Sequence, residues 1–133
     1  MIETLHGALL TNLFLFALLF AAQVAVRTGT HGLVYSLSSL DAEVESTTLE
    51  DRLNRITRNQ LEFIVLFGLT AITSNQSSLS IDHENIIALS VIAGRSLYVL
   101  MASTGVPVLR SGSWLIAFAA WGYLAMQVAV GAA

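Results

Sequence analysis

Arg55, Arg58, Asn59 and Glu62 stand at i, i+3, i+4 and i+7, so a helix through them carries two guanidiniums, an amide and a carboxylate on one face. A guanidinium is a planar fork that grips a carboxylate through two parallel hydrogen bonds, and the glutamate can pair with an ammonium or orient an arginine. Such a face suits a small ligand that bears several carboxylates. Directly after it, Phe63 to Leu69 is wholly apolar. A charged side chain near a bilayer centre costs on the order of 2.5–3.5 kcal/mol even on lenient insertion scales. If this helix lies in a membrane, its ionic face must turn toward protein.

The bulk composition says that it does lie there. Among 133 residues, 55% are hydrophobic and 11% charged, and the mean hydropathy is +0.72, too apolar for a soluble domain of this length. All six basic residues are arginine: Arg27, Arg52, Arg55, Arg58, Arg95 and Arg110. That choice suits carboxylate recognition, and a GC-rich genome would produce it equally well. The chain has no cysteine, which excludes disulfides, thiolate metal sites and a cysteine nucleophile of its own. With a net charge of −3 there is no basic surface of the extent that nucleic acid demands.

The spacing of apolar runs predicts one all-α domain over 1–133, an integral membrane four-helix bundle with spans near 5–26, 53–74, 86–104 and 114–131. The first reads as a span rather than a cleaved leader, because MIET before it carries no positive charge and the apolar stretch is long. The polar stretch from Arg27 to Ser46 reads as a loop, with a short surface helix over 33–40, and contains Asp41, Glu43 and Glu45. Thr47 and Glu50 fit a capping box, so the next helix begins near Thr48. Its apolar part, Leu61 to Ile72 and already containing Glu62, is only 12 residues. The span must therefore extend back to about Leu53, which draws the ionic face into the membrane and Glu62 toward its middle.

Arg95 falls at the centre of the third span, with Tyr98 on the same face. Glu62 and Arg95, at similar depth on neighbouring helices, are expected to form an ion pair or share one network. Gly105, Val106 and Pro107 break that helix, and Arg110, Ser111 and Trp114 lead into the fourth span, the tryptophan suiting a membrane interface. Four spans put the 27–50 and 104–111 loops on one side, and both termini and the 75–84 loop on the other. The first side holds five of the six arginines, so the positive-inside rule makes it cytoplasmic and both termini outside.

This topology gathers Arg27, Arg55, Arg58, Asn59, Glu62, Arg95, Tyr98 and Arg110 in one half of the membrane. For Arg27 and Arg52 a role as anchors that snorkel to lipid headgroups is the plainer reading. Asn59, Glu62 and Arg95 are of no use as anchors and argue for a pocket. His6, His31 and His83 share no ligand spacing, and no metal site is expected. Ser90, Gly94, Ala125 and Ala129 recur at four-residue spacing that suits close helix packing in lipid.

RITRNQLEFIVLF (Arg55 to Phe67) and GRSLYVLMASTGVPVLRSGSW (Gly94 to Trp114) together resemble two blocks of the MAPEG family, membrane-associated proteins in eicosanoid and glutathione metabolism, the second in the form bacterial members carry. The resemblance implies a cell-membrane homotrimer of four-helix subunits, with glutathione bound between neighbours as cosubstrate. It implies that Arg58, Asn59 and Glu62 hold the tripeptide with Tyr98, that Arg110 stabilises the glutathione thiolate, and that Ser111 follows it as in some members; Arg27 matches by position alone. Ala102 stands where several eukaryotic members have a second tyrosine. The expected function is a glutathione-dependent membrane transferase or peroxidase acting on a lipophilic small molecule that enters from the membrane lipids. A lipid- or glutathione-binding protein without turnover keeps the same fold. A small transporter working through a Glu62–Arg95 relay is a third class, although the inverted repeat of many carriers is missing.

Overall fold

A computed structural model describes residues 2–38 and 44–131, and all of its regular structure is helical. The elements are α1 (Ile2–His31), α2 (Leu33–Leu37), α3 (Thr48–Gln76), α4 (Glu84–Thr104) and α5 (Pro107–Gly131). Three of them, α1, α4 and α5, are long and apolar enough to cross a membrane. Their outer faces carry Leu10, Phe14, Leu18, Phe20, Leu89, Leu100, Leu115 and Met126, all exposed. Apolar groups arranged this way meet acyl chains at no hydrophobic cost.

Helix α3 differs because its sequence is two-faced. Leu53, Ile56, Thr57, Gln60, Phe63, Ile64, Phe67, Ala71 and Ser74 are buried and recur every three or four residues, whereas Arg55, Arg58 and Glu62 on another face are exposed. Its start is fixed chemically. The Thr47 hydroxyl accepts from the Glu50 N–H at 3.3 Å, and the Glu50 carboxylate accepts from the Thr47 N–H at 2.8 Å, which closes the expected capping box. The same carboxylate lies 3.0 Å from His31 Nε2 at the end of α1. The Thr47 N–H, together with His31, holds the Glu50 carboxyl below its ordinary value.

Three boundaries differ from the sequence expectation. The stretch after Val26 was expected to be loop but continues α1 to His31; the stop is Gly32, whose φ of 88° suits glycine and few other residues. Helix α2 occupies Leu33–Leu37; residues 39 and 40 of the expected segment, like Asp41 and Glu43, lie outside the described residues. At the same end of the molecule α5 starts at Pro107, within the stretch expected as the 104–111 loop. Proline presets φ for a first helical turn and needs no N–H partner there, and Gly105, at φ 84°, ends α4 two residues earlier.

The short 105–106 connection makes α4 and α5 antiparallel neighbours. Gly94 lets them touch: a Cβ there would lie 2.9 Å from the Ala117 nitrogen and the Ser113 carbonyl oxygen. Helix α3 packs on α1, α4 and α5, and α1 also reaches α4. Trp121 joins α5 to α3 by donating its indole N–H to Thr70 Oγ1 at 3.0 Å. Two ends result. At one, Thr4 meets Asn85, and Asp82 exchanges hydrogen bonds with Gln127. At the other, Gln23 meets Asn54, His31 meets Glu50, and Arg52 donates to the Ser103 carbonyl at 3.1 Å.

Candidate functional site

At the arginine-rich end, α3, α4 and the start of α5 enclose a cleft of about 440 Å³. Arg52, Arg55, Arg58, Asn59 and Glu62 of α3 line it, with Tyr98 and Ala102 of α4, Gly105 of the connection and Arg110 of α5. The volume falls in the range of small-molecule sites. Four guanidiniums and one carboxylate on its walls match the charge pattern of a ligand with net negative charge and a secondary cationic group. Arg52, which sequence reasoning favoured as an anchor, is a wall residue, its guanidinium spread over Gly105, where a Cβ would meet it at 3.4 Å. A smaller polar hollow of about 230 Å³ adjoins, between Asp51, Asn54, Arg55 and Arg58.

Arg95 is in a different position from the other arginines. It is 0% exposed and does not line the cleft. Its Nε and Nη2 both donate to Gln60 Oε1, at 2.9 and 2.6 Å, and its Nη1 donates to Asn59 Oδ1 at 3.0 Å. The rings of Phe63 and Tyr98 cover it with centroids at 4.7 and 4.6 Å, and each ring face attracts the cation. Gln60 is anchored in turn: its amide donates to the carbonyl and side-chain oxygens of Asn12 on α1, at 3.1 and 3.0 Å, and Asn12 donates to the Ala8 carbonyl at 2.8 Å. Gln60 and Asn12 are as completely buried as Arg95.

The expected Glu62–Arg95 pair is therefore not formed. Positions 60 and 62 are about 200° apart around a helix that turns about 100° per residue. Arg95 meets the face of α3 that carries Gln60 and Phe63, and Glu62 points the other way, exposed, with no ion pair to Arg95. Arg55, Arg58, Asn59, Glu62, Tyr98 and Arg110 do come together. Arg27, half-buried on α1, and Ser111, whose hydroxyl donates to the Pro107 carbonyl at 3.1 Å, lie outside the cleft wall. Sequence reasoning weighed charges and passed over Gln60 and Asn12. The signal was present for Asn12, a polar side chain within an apolar run that needs a partner and so marks a contact; Gln60 follows Thr57, Arg58 and Asn59 and carries no such mark.

No curated protein and no solved structure matches the chain. A protein-family comparison does match, over residues 5–130, nearly the whole length. On that match, and with three helices fit to cross a bilayer, the chain belongs to the MAPEG family of membrane proteins.

Proposed function

We propose that the protein is a glutathione-dependent transferase or peroxidase of the membrane, in which the cleft holds glutathione and Arg110 keeps its sulfur as the thiolate. The observation that carries this reading is the convergence of Arg55, Arg58, Asn59, Glu62, Tyr98 and Arg110 on one cleft wall. Glutathione carries two carboxylates, which suit the arginines, and one ammonium, which suits Glu62. It also supplies the thiol that this cysteine-free chain lacks. A free thiol ionises near ~8.5, and a neighbouring guanidinium favours the anion. The thiolate then attacks an electrophilic carbon, forming the C–S bond as the leaving group departs with the electron pair of the bond it breaks. Alternatively it attacks a peroxide oxygen and breaks the O–O bond, giving glutathione sulfenic acid and an alkoxide that takes a proton from water to become the alcohol. A second glutathione then condenses with the sulfenic acid to the disulfide and water.

The apolar groove of about 360 Å³ along α4 and α5, lined by Leu97, Met101, Val108, Leu109 and Ile116, supports a lipophilic second substrate. Leu109 belongs to that groove and Arg110 to the cleft, so consecutive residues face the two compartments. On this reading α3 lies in the bilayer beside the other three long helices. Its exposed Arg55, Arg58 and Glu62 are then covered by a neighbouring copy, as in the trimer the family implies, and the arginine-rich end faces the cytoplasm. The carrier reading loses its central pair, since Arg95 engages Gln60 and Asn59 and not Glu62.

Isothermal titration of glutathione into detergent-solubilised protein tests the binding part: saturable heat below millimolar ligand is expected, and none at millimolar ligand would remove the reading. Conjugation of a generic electrophile tests turnover. Arg110→Ala should retain binding within a few-fold and lose on the order of 10²-fold in rate, as when a charge stabiliser is removed from a reacting centre. Binding without conjugation by the parent protein would leave the non-catalytic member of the same fold.

A further inference from the structure

Arg95 carries a full charge into a buried position, and the partner facing it is neutral. Gln60 occupies the place of a bidentate carboxylate: one oxygen accepts from both Nε and Nη2, at 2.9 and 2.6 Å. Among the described residues no carboxylate pairs with Arg95. Gln60 could not rotate its nitrogen toward Arg95 without placing donor against donor, and Asn12 fixes the amide by taking two hydrogen bonds from that nitrogen. The charge is thus held in place and left standing one side chain behind the cleft wall. It reaches the cleft through Asn59. Asn59 Oδ1 accepts from Arg95 at 3.0 Å, so the amide nitrogen is the end of Asn59 left to donate into the cleft that Asn59 lines. Tyr98, stacked on Arg95, stands on the same wall.

We propose that Gln60 is a specificity-determining positioning residue: by holding Arg95 without neutralising it, Gln60 leaves a net positive charge behind Asn59 and sets the cleft to select a carboxylate group of its ligand. The inference rests on the glutathione reading and deepens it. Asn12 and Gln60 never touch the ligand; they set the orientation of Arg95, which sets the polarity of Asn59. In a low-dielectric surround an uncompensated charge acts strongly on a neighbouring anion, and the ligand carboxylate supplies the balance that Gln60 does not.

Gln60→Glu keeps the shape and adds the missing charge. The test compares glutathione with its dimethyl ester, both titrated calorimetrically into the parent protein and the variant in detergent. The parent should prefer glutathione, and Gln60→Glu should cut glutathione affinity by about tenfold, the scale of one hydrogen bond to a charged group, while changing ester affinity little. A structural role for Gln60 would weaken both ligands alike, and unchanged affinity for both would mean that Arg95 is already neutralised from elsewhere; either result overturns the proposal. Should Gln60→Glu not fold, Arg95→Gln removes the charge by the other partner and must narrow the acid-over-ester preference to the same degree, or the proposal fails. If the parent protein binds no glutathione at all, the functional reading itself falls and this inference with it, an outcome distinct from equal losses in the variant.

Discussion

Helix α4 makes two contacts of opposite kinds. Against α5 it is dry and close, with Gly94 set on the backbone of Ser113 and Ala117, and the Ser113 hydroxyl donates back to the Leu109 and Arg110 carbonyls of its own helix. Against α3 it is polar, with Arg95 held by Gln60 and Asn59 between two aromatic rings. In lipid both work, since packing and interhelical hydrogen bonds replace the hydrophobic drive that water would supply. They fix different things. The dry seam sets a distance and tolerates sliding, whereas the polar contact sets an orientation and cannot slip without breaking the hydrogen bonds of a buried charge. The side of α4 that must hold its angle is the side that forms the cleft.

The strongest way to break the comparison is to remove the polar partner. Gln60→Leu strips Arg95 of two of its three hydrogen bonds and takes from Asn12 Oδ1 the donor it has in Gln60. Hydrogen bonds to a charged group contribute about 1.5–3 kcal/mol, and a loss of about 3 kcal/mol is expected. Thermal unfolding in detergent reads it as a large fall in midpoint. A fall no bigger than that of a surface substitution would show that α3 and α4 are held by their apolar contacts alone.

The dry seam should yield less and by a separate mechanism. Gly94→Ala puts a methyl against backbone atoms that cannot move aside, and overpacking of this sort costs about 1–3 kcal/mol. Alanine is also the better helix former by about 1 kcal/mol, which partly offsets the clash. Gly122, with nothing within 4 Å of a Cβ built on it, is the control. Gly122→Ala should raise the melting midpoint slightly and Gly94→Ala lower it. If both raise it, the helices can part at Gly94 freely and the seam sets no distance.

The sequence disclosed these two contacts unequally. Gly94 was legible, because a small residue in an apolar helix signals close approach, although its opposite numbers are Ser113 and Ala117 and not the Ala125 and Ala129 that share its spacing. The shared face of Arg55, Arg58, Asn59 and Glu62 was legible from helical period alone. The partner of Arg95 was not. A pairing rule joins opposite charges at equal depth, and it chose Glu62, two residues and about 200° from the residue that Arg95 meets. Which side of α3 faces α4 is decided by the whole buried stripe from Leu53 to Ser74 packing on three neighbours, and that is tertiary information. Boundaries failed for local reasons: polar residues after Val26 looked like loop, yet α1 runs on until Gly32 takes a positive φ.

The junction of α1 and α3 sharpens the comparison, because it is polar like the Arg95 contact but lies at the water-facing end of both helices. There Glu50 closes the capping box and meets His31, and its carboxyl is held below its ordinary value of 4.5 by the Thr47 N–H and by His31. A depressed carboxyl stabilises the fold above its unfolded value, and that stabilisation is lost as the pH falls through the lower, folded value. Glu50→Gln keeps the shape and removes the charge. Its stability should trail the parent by about 1 kcal/mol at neutral pH, the scale of a helix cap, and the gap should hold down to about pH 4.5. Below that the parent protonates Glu50 and the two melting curves should converge. A gap independent of pH would assign the effect to amide packing and not to the carboxylate. A gap as large as that of Gln60→Leu would mean that polar contacts at the wet end and in the dry interior weigh the same, contrary to the dependence on burial that separates them.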